Sequence, residues 1–252
     1  MMFLVALRKE LLEQWRSYRM LVTLVLFIVM GLLSPLFAKL TPEILRLLPQ
    51  GEEIAKIVPP PSIADAVAQY IKNISQFGVI LALVTAMGTV AQEKDKGTAA
   101  LMLVKPLPRG AFLGAKFAAF ATTFLISTAL AGLACYYYTL LLFEPLDLAE
   151  WLALNGLMWL FLFVYVALTI FCSTLTRSQA LAGGLAFGTL ILLSLLGSLP
   201  KVGEYLPGQL LAWGTGLAIA SANPSWPAVW ISMGIIFVAF FGAWVIFEKQ
   251  EL

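Results

Sequence analysis

The chain contains 252 residues, of which 61% are hydrophobic and 12% are charged. A typical soluble domain is about half apolar and about a quarter charged, so this composition excludes an ordinary soluble globular protein. The sequence has no histidine, which excludes a Ser-His-Asp triad, an HExxH zinc site and a histidine proton relay. Cys135 and Cys172 lie in apolar runs and are too few for a disulfide framework, so we interpret them as buried apolar residues.

The first predicted element is an amphipathic helix from Phe3 to Arg19. At 100° per residue, its apolar side chains fall on one face and its charged side chains on the other. Such helices lie along a membrane surface with their basic side chains toward anionic headgroups. We therefore expect residues 1–19 to form an interfacial helix that includes Trp15, Arg16 and Arg19. A topogenic segment without a surface role is the alternative.

Six apolar stretches follow, each long enough to cross a hydrocarbon core about 30 Å thick. They predict an all-α membrane protein that forms a single transmembrane domain over residues 1–252. The predicted spans are 20–38, 73–92, 117–143, 151–176, 178–200 and 229–247. A further apolar stretch from Leu206 to Ala222 contains a proline and several glycines, and we interpret it as an interfacial or re-entrant helix rather than a seventh span.

The distribution of lysine and arginine predicts the orientation of the spans. Eleven of these residues fall on one side of the predicted membrane: Arg8, Lys9, Arg16, Arg19, Lys94, Lys96, Lys105, Arg109, Lys116, Arg177 and Lys249. The other side has five: Lys39, Arg46, Lys56, Lys72 and Lys201. Because cytoplasmic segments carry the excess of basic residues, we expect a multi-pass protein of the cell (plasma) membrane with both termini in the cytoplasm.

The predicted outer loop over residues 39–72 carries three consecutive prolines. Pro42 to Leu48 and Ser62 to Asn73 are expected to form two short amphipathic helices. Ser62 is the expected N-cap of the second helix, because Asp65 follows three residues later at the capping-box position. The loop forms either a lid on the outer membrane face or a plain connector.

The loop between the second and third spans is first charged and then briefly apolar. Gly97 is expected to interrupt the helix after its charged end, and Thr98 is the expected N-cap of a short helix over residues 99–104. Pro106 ends this helix. The helix is too short to span a membrane, so we expect it to dock either on the protein's own helices or on a soluble partner.

The pattern of this loop resembles the signature of the type-2 ABC exporter permeases. The residues that carry the resemblance are Glu93, Gly97, Thr98, Leu101, Pro106 and Arg109. The N-terminal amphipathic helix, the six spans and the long outer segment before the last span are similar as well. The resemblance implies that the N-terminal helix and the short cytoplasmic coupling helix form the surface on which a separate ATPase subunit sits.

In this interpretation Gly97 and Pro106 shape the turn of the coupling surface. Glu93 and Arg109 supply charged contacts on the same surface. Exposed charge pairs contribute only about 0–1 kcal/mol each, so the shape of the turn is expected to matter more than any one pair. Gly97→Val is therefore expected to uncouple transport more severely than Lys94→Ala.

The resemblance also implies a complex of two permease chains with two copies of the ABC ATPase subunit, the second permease being an identical copy or a homologue. In the family, spans one and five meet the partner permease. In the predicted fifth span, Ala180, Gly184 and Gly188 recur at every fourth position, a spacing that lets two helix backbones approach closely. Contact with the partner permease and packing within one chain both remain open. No nucleic-acid partner is expected.

The sequence offers no catalytic centre of its own. It has no GxxxxGK[ST] phosphate loop, so ATP and Mg²⁺ are expected in the partner ATPase, and this chain is expected to hold no cofactor or metal. Glu93 and Asp95 are interpreted as members of a solvated charge cluster rather than as a catalytic pair. The middle of each predicted span lacks acidic and basic residues, which favours a hydrophobic, amphiphilic or lipid-like cargo.

The predicted function is that of a non-enzymatic permease subunit of an ATP-driven exporter. One alternative is a membrane scaffold or assembly factor that recruits a cytoplasmic protein through the same loop. Another is a secondary transporter, whose spans would be interrupted at Ser34-Pro35 and at Gly183-Gly184.

Overall fold

The computed structural model describes residues 2–47, 59–98, 108–143, 145–219 and 223–250, and within these ranges every regular element is a helix. The α-helices of these described ranges are α1 (Met2–Arg16), α2 (Arg19–Arg46), α3 (Ile63–Ala86), α4 (Ala91–Asp95), α5 (Arg109–Leu142), α6 (Leu148–Leu175), α7 (Gln179–Gly197), α8 (Gly208–Ala218) and α9 (Trp226–Lys249). A short 3₁₀ turn, Gly203–Tyr205, precedes α8.

Six segments in the described part of the chain are long and apolar enough to cross a membrane, which confirms the predicted all-α fold with six spans. They are α2, the continuous segment of α3 and α4, and α5, α6, α7 and α9. Most extend beyond the uncharged stretches of the sequence. The helix α5 starts at Arg109, before the predicted start of the third span at residue 117. A charged side chain such as Lys116 ends an apolar stretch of sequence, but it does not end a helix.

The helices on either side of the predicted outer loop are longer than the sequence suggested. Ser62 does cap α3, since its hydroxyl accepts from the Asp65 N–H and the Asp65 carboxylate accepts from the Ser62 N–H. The helix that begins there continues into the second span. On the other side of the loop, α2 runs through Pro42 to Arg46. The prediction of two separate short helices was therefore wrong.

Neither of the two predicted interruptions breaks a helix. The span α2 continues through Pro35, and α7 continues through Gly183 and Gly184. A helix break inside a membrane leaves backbone groups without partners, which favours continuous helices there. The structure thus removes the feature that supported a secondary transporter with broken spans.

The span α6 is the most buried of the six and lies at the centre of the bundle. It packs against α3, α5, α7, α8 and α9. The eleven-residue α8 is too short to span and lies against α6, where Leu210, Trp213 and Gly214 are buried. A chain of hydrogen bonds also links α3 to α6: Tyr70 donates to Asn155 Oδ1 at 2.6 Å, and Asn155 Nδ2 donates to the Trp151 carbonyl at 2.9 Å.

The spans α2 and α5 approach each other closely at Gly31. A Cβ atom added at Gly31 would lie 2.4 Å from the carbonyl oxygen of Ala131, which is backbone and cannot rotate away. Gly31→Ala is expected to push the two helices apart at a cost of about 1–3 kcal/mol. Thermal unfolding of the purified chain in detergent measures this as a lower midpoint.

Gly234→Ala on α9 is the matched control, because no atom of the described residues lies within 4 Å of a Cβ atom at that position. Equal unfolding midpoints for the two variants would show that α2 and α5 are not packed as closely as described.

Candidate coupling site

At the end of the bundle where α1, α4 and α5 meet, five charged residues form a compact group: Lys9, Glu10, Glu13, Glu93 and Lys116, hereafter the Lys116 cluster. Lys116 is at its centre with only 1% of its side chain exposed. Its ammonium group lies 3.0 Å from Glu10 Oε2 and 2.9 Å from Glu93 Oε1. This one lysine of α5 therefore binds both the N-terminal helix and α4.

The helix α1 attaches to the bundle by a polar face. Its buried residues are Ala6, Glu10 and Gln14, which recur at every fourth position. Gln14 Oε1 accepts a hydrogen bond of 2.7 Å from the hydroxyl of Thr123 on α5. The sequence pattern indicates the adjoining apolar face, centred about 90° around the helix from the buried residues, and Trp15 on that face is 53% exposed.

Lys9 closes the cluster from the more exposed side. Its ammonium group contacts Glu10 at 2.9 Å, Glu13 at 2.7 Å and Glu93 at 3.1 Å. Partial burial alone would lower the pKa of Lys9, but the neighbouring carboxylates raise it above the ordinary lysine value. For Glu13, burial alone would raise the pKa of the carboxyl group. The hydrogen bond from Lys9 and the positive charge of Lys9 outweigh this effect, so the pKa of Glu13 is lowered.

The signs of these two pKa shifts define the pH range over which the cluster is stable. The raised pKa of Lys9 gives stability that is lost only as the pH rises through that raised value. The lowered pKa of Glu13 gives stability that is lost only as the pH falls through that lowered value. The attachment of α1 is therefore expected to hold throughout the neutral range.

Oxygen atoms of Glu10, Glu13 and Glu93 lie within 4.8 Å of one another, a spacing that a metal ion could bridge. The ammonium groups of Lys9 and Lys116 already contact these carboxylates. Each of the three acids is thus ion-paired with at least one of the two lysines, and the arrangement is that of a structural ion-pair network. Such a network joins α1, α4 and α5 through several mutually oriented ion pairs, whereas a single exposed pair fixes no such arrangement.

The short helix α4 is connected to much of the bundle through three consecutive side chains. Glu93 binds α1 and α5 through the Lys116 cluster. Gln92 accepts a hydrogen bond from Arg19 at the start of α2 and donates one to Gln179 at the start of α7. Lys94 donates to the Thr174 carbonyl at the end of α6 at 2.7 Å.

The N-terminus of α4 is capped from another helix. The hydroxyl of Ser173 on α6 accepts from the backbone N–H groups of Val90 and Ala91 at 3.1 and 3.0 Å. It donates in turn to the Met87 carbonyl at 2.8 Å. Because the first N–H groups of a helix have no partner within it, this serine fixes the position of α4 on α6.

The structure corrects two expectations for the residues of α4. Glu93 is only 13% exposed and ion-paired, so it does not belong to a solvated charge cluster. Lys94 is 9% exposed and also donates to Gln250 Oε1 at 3.1 Å, so Lys94→Ala is not a mild substitution. Local sequence suggested solvent for both side chains, but their partners come from distant parts of the chain.

Gly97 and Thr98 directly follow α4. Gly97 has a φ of +68°, in the left-handed region that favours glycine, and Thr98 donates to the Glu93 carbonyl at 3.2 Å. The predicted helix over residues 99–104, with Leu101, and Pro106 lie outside the described residues. The coupling roles of Gly97, Thr98, Leu101 and Pro106 therefore stay predictions.

Arg109 contacts the C-terminal end of the last span. Its guanidinium donates to the carbonyl oxygens of Phe247, Glu248 and Gln250 at 2.7, 2.8 and 3.0 Å. A cation at the end of a helix stabilises the carbonyl groups that have no partner within the helix. The charge predicted for contact with an ATPase is thus engaged inside the chain, and a further role toward a partner stays a prediction.

Arg109→Gln is expected to release the last turn of α9, because it removes the charged donor of three hydrogen bonds. Charge-assisted hydrogen bonds contribute about 1.5–3 kcal/mol each, and these three share one guanidinium. Hydrogen exchange at the amides of Phe247 to Gln250 should become markedly faster. Arg8→Gln, at an exposed position of α1, is the control, and equal exchange in the two variants would contradict the assignment.

The predicted interfacial residues have different surroundings. Trp15 and Arg16 are exposed on α1, whereas Arg19 is half-buried and donates to Gln92 Oε1 at 3.4 Å. An interfacial position for α1 stays a prediction.

Sequence reasoning missed Glu10, and it used Lys116 only as a span boundary. The spacing of Ala6, Glu10 and Gln14 is the signal that could have identified the buried polar face of α1.

The small residues predicted for helix packing, Ala180, Gly184 and Gly188, lie on an exposed face of α7. Nothing in the described structure lies within 4 Å of a Cβ atom added at Gly184 or Gly188. Packing within one chain therefore does not explain these two glycines. Contact with a second permease stays a prediction.

The fold and the site define a polytopic membrane protein whose termini are tied to the same end of a six-span bundle. A family model described as ABC-2 family transporter protein matches residues 4–211, and the chain belongs to this family. The resemblance to the type-2 ABC permeases is thereby confirmed. The uncharacterized transmembrane protein YxlG of Bacillus subtilis (strain 168) is 26% identical over 245 residues, which cover 94% of each chain.

Proposed function

We propose that this chain is the permease subunit of an ATP-driven ABC exporter, in which it forms the translocation pathway and couples to a separate ATPase subunit. Membrane proteins of the ABC-2 family in general partner with ABC ATPase subunits. In the proposed complex two permease chains bind two ATPase subunits, which use ATP and Mg²⁺. The chain itself performs no hydrolysis.

One observation supports coupling through the loop after α4. Gln92, Glu93 and Lys94 are consecutive in sequence, yet together they contact α1, α2, α5, α6 and α7. The loop that resembles the coupling segment of the family begins a few residues later. A push on this loop would therefore reach five helices at once, which is the property that an ATP-driven permease needs.

The positions of the termini support a cytoplasmic location for this end of the bundle. The N-terminal helix binds Lys116 near the start of α5, and the C-terminal end of α9 binds Arg109, which lies about two helix turns earlier on α5. The N-terminal helix, the end of α9 and the residues that follow α4 up to Thr98 thus lie at the same end. This end also carries most of the basic residues, which favours the cytoplasmic side of a plasma membrane.

The experiment is to purify the full chain from its native membrane and to identify the proteins that remain bound. We expect an ATPase with a GxxxxGK[ST] phosphate loop, and its rate of hydrolysis should increase when the permease is present. A bound partner without a nucleotide-binding fold would instead support a membrane scaffold and contradict the proposal.

Asp95→Ala is a matched control for this experiment, because Asp95 is exposed and adjoins the three connecting residues without sharing their contacts. The bound ATPase should remain with this variant.

A further inference from the structure

A cavity of about 600 Å³ lies between α6, α7 and the segment that leads into α8. Its lining includes two aromatic, two charged and two neutral polar residues: Phe161, Tyr165, Lys201, Glu204, Ser194 and Gln209. The volume is within the range of about 300–1,000 Å³ that is typical of small-molecule sites. No residue of the Lys116 cluster lines this cavity.

The cavity extends into the membrane-spanning part of the bundle. Tyr165 is ten residues from Leu175 at one end of α6, and at 1.5 Å per residue the separation is about 15 Å. From Leu148 at the other end, Phe161 is about 20 Å away. These two residues therefore lie near the middle of α6, whereas Lys201 and Glu204 belong to the connection outside α7 and α8.

The deep part of the cavity is aromatic with a single polar group. Phe161 and Tyr165 pack edge to face with their ring centroids 5.1 Å apart. Tyr165 is only 9% exposed, and its hydroxyl has no hydrogen-bond partner among the described residues. The hydroxyl is not among the fully enclosed polar atoms that lack a partner, so it is accessible from the cavity and can donate to an ester or carbonyl oxygen of an occupant.

The outer part of the cavity presents charges of both signs. Lys201 and Glu204 are exposed and three residues apart, and within the described structure neither takes part in an ion pair. Gln209 and Ser194 add neutral polar groups to the lining. A ligand headgroup with one positive and one negative charge therefore matches the outer part of the cavity, at Lys201 and Glu204. An apolar chain of the same ligand matches the deep part, at Phe161 and Tyr165.

We propose that this cavity binds a zwitterionic amphiphile, with its charged head between Lys201 and Glu204 and its apolar part against Phe161 and Tyr165. The inference deepens the proposed function and rests on it, because such an amphiphile would be the class of cargo that the permease moves. Binding itself does not depend on ATP or on a partner.

The test uses the full chain in nanodiscs of phosphatidylglycerol that contain a photoactivatable phosphatidylethanolamine with its reactive group in the middle of one acyl chain. After illumination, labelled peptides are mapped by mass spectrometry. We expect labelling at Phe161, at Tyr165 or at Leu211, which also lines the cavity. Tyr165→Phe, which removes only the hydroxyl, should weaken competition by unlabelled phosphatidylethanolamine roughly two- to tenfold.

Gly197→Trp is the blocking variant. Gly197 lines the cavity, and no described residue has an atom within 4 Å of a Cβ atom added there, so an indole at this position meets no backbone clash at its Cβ. It should abolish labelling inside the cavity. Gly234→Trp, at an equally open position of α9 away from the cavity, should leave labelling unchanged.

Two results would overturn the inference. One is labelling that is confined to the exposed faces of α7 and α9. The other is equal labelling by a photoactivatable phosphatidylglycerol, which would show that the two charges at the rim do not select the head. Failure of the proposed function has a different signature, namely the absence of a nucleotide-binding partner, and it leaves the labelling result unaffected.

Discussion

Lys116→Met is expected to lower the free energy of unfolding by about 3 kcal/mol and to detach α1 from the bundle. Removing one partner of a buried ion pair typically costs about 3–5 kcal/mol, because the remaining charge stays buried without compensation. The lower end applies here, since Lys9 still contacts Glu10 and Glu93 after the substitution. Thermal unfolding in detergent and proteolysis of the N-terminal segment both measure the effect.

Two variants are compared, namely Lys116→Met alone and the double variant Lys116→Met with Glu10→Gln. The comparison separates the effect of an uncompensated charge from the effect of lost packing. The double variant removes one of the acids that the lysine balances, so it should be more stable than the single variant. Lys249→Met, at an exposed position near the C-terminus, serves as the control for losing a positive charge. If Lys116→Met unfolded at the same temperature as Lys249→Met, the Lys116 cluster would not hold the helices together.

Gly97→Val is expected to abolish the stimulation of the partner ATPase while leaving the six spans folded. The φ of +68° at Gly97 costs a residue with a side chain about 1–2 kcal/mol, and more for a β-branched one, so valine should redirect the chain that follows α4. Among the described residues no atom lies within 4 Å of the added Cβ, so the expected effect is one of backbone conformation. ATP hydrolysis by the reconstituted complex measures it.

Asparagine is the informative second substitution, because it tolerates the left-handed region better than other side chains do. Gly97→Asn should retain most of the stimulation, and Lys96→Ala, at the exposed neighbouring position, should retain all of it. Equal stimulation by Gly97→Val and Lys96→Ala would refute the role of this turn. Lys94→Ala is unsuitable as a mild control, since Lys94 is buried and hydrogen-bonded to Thr174.

The fold was predictable because the membrane imposes simple rules on the sequence. A span needs an uninterrupted apolar stretch, and the six such stretches all correspond to helices in the structure. The cap at Ser62 was predictable from its spacing to Asp65. Helix ends were less predictable, because α2 and α3 continue past the prolines and charges that mark the edges of the apolar stretches.

The connections at the coupling site were not predictable from local sequence. Glu93 and Lys94 look solvated among their neighbours, but they are buried by partners that only the tertiary fold brings close. Lys116 lies more than one hundred positions from Glu10 in sequence, and Thr174 is eighty positions from Lys94. A pattern of charges identifies the end of a span, whereas the partner of each charge is fixed by the packing of the helices.

The glycines show the same difference between local pattern and tertiary structure. Spacing drew attention to Gly184 and Gly188, which face open space in this chain. Gly31, in contrast, is required by the packing of two spans, because α2 meets the backbone of α5 at this position. A single glycine in an apolar run carries no spacing signal, so only the structure identifies it.

The most direct measurement is the rate of ATP hydrolysis by the co-purified ATPase, determined alone and together with this chain in lipid vesicles. If the chain is a permease that couples through the loop after α4, it should raise the rate several-fold. The same hydrolysis rate with and without the chain would contradict the account.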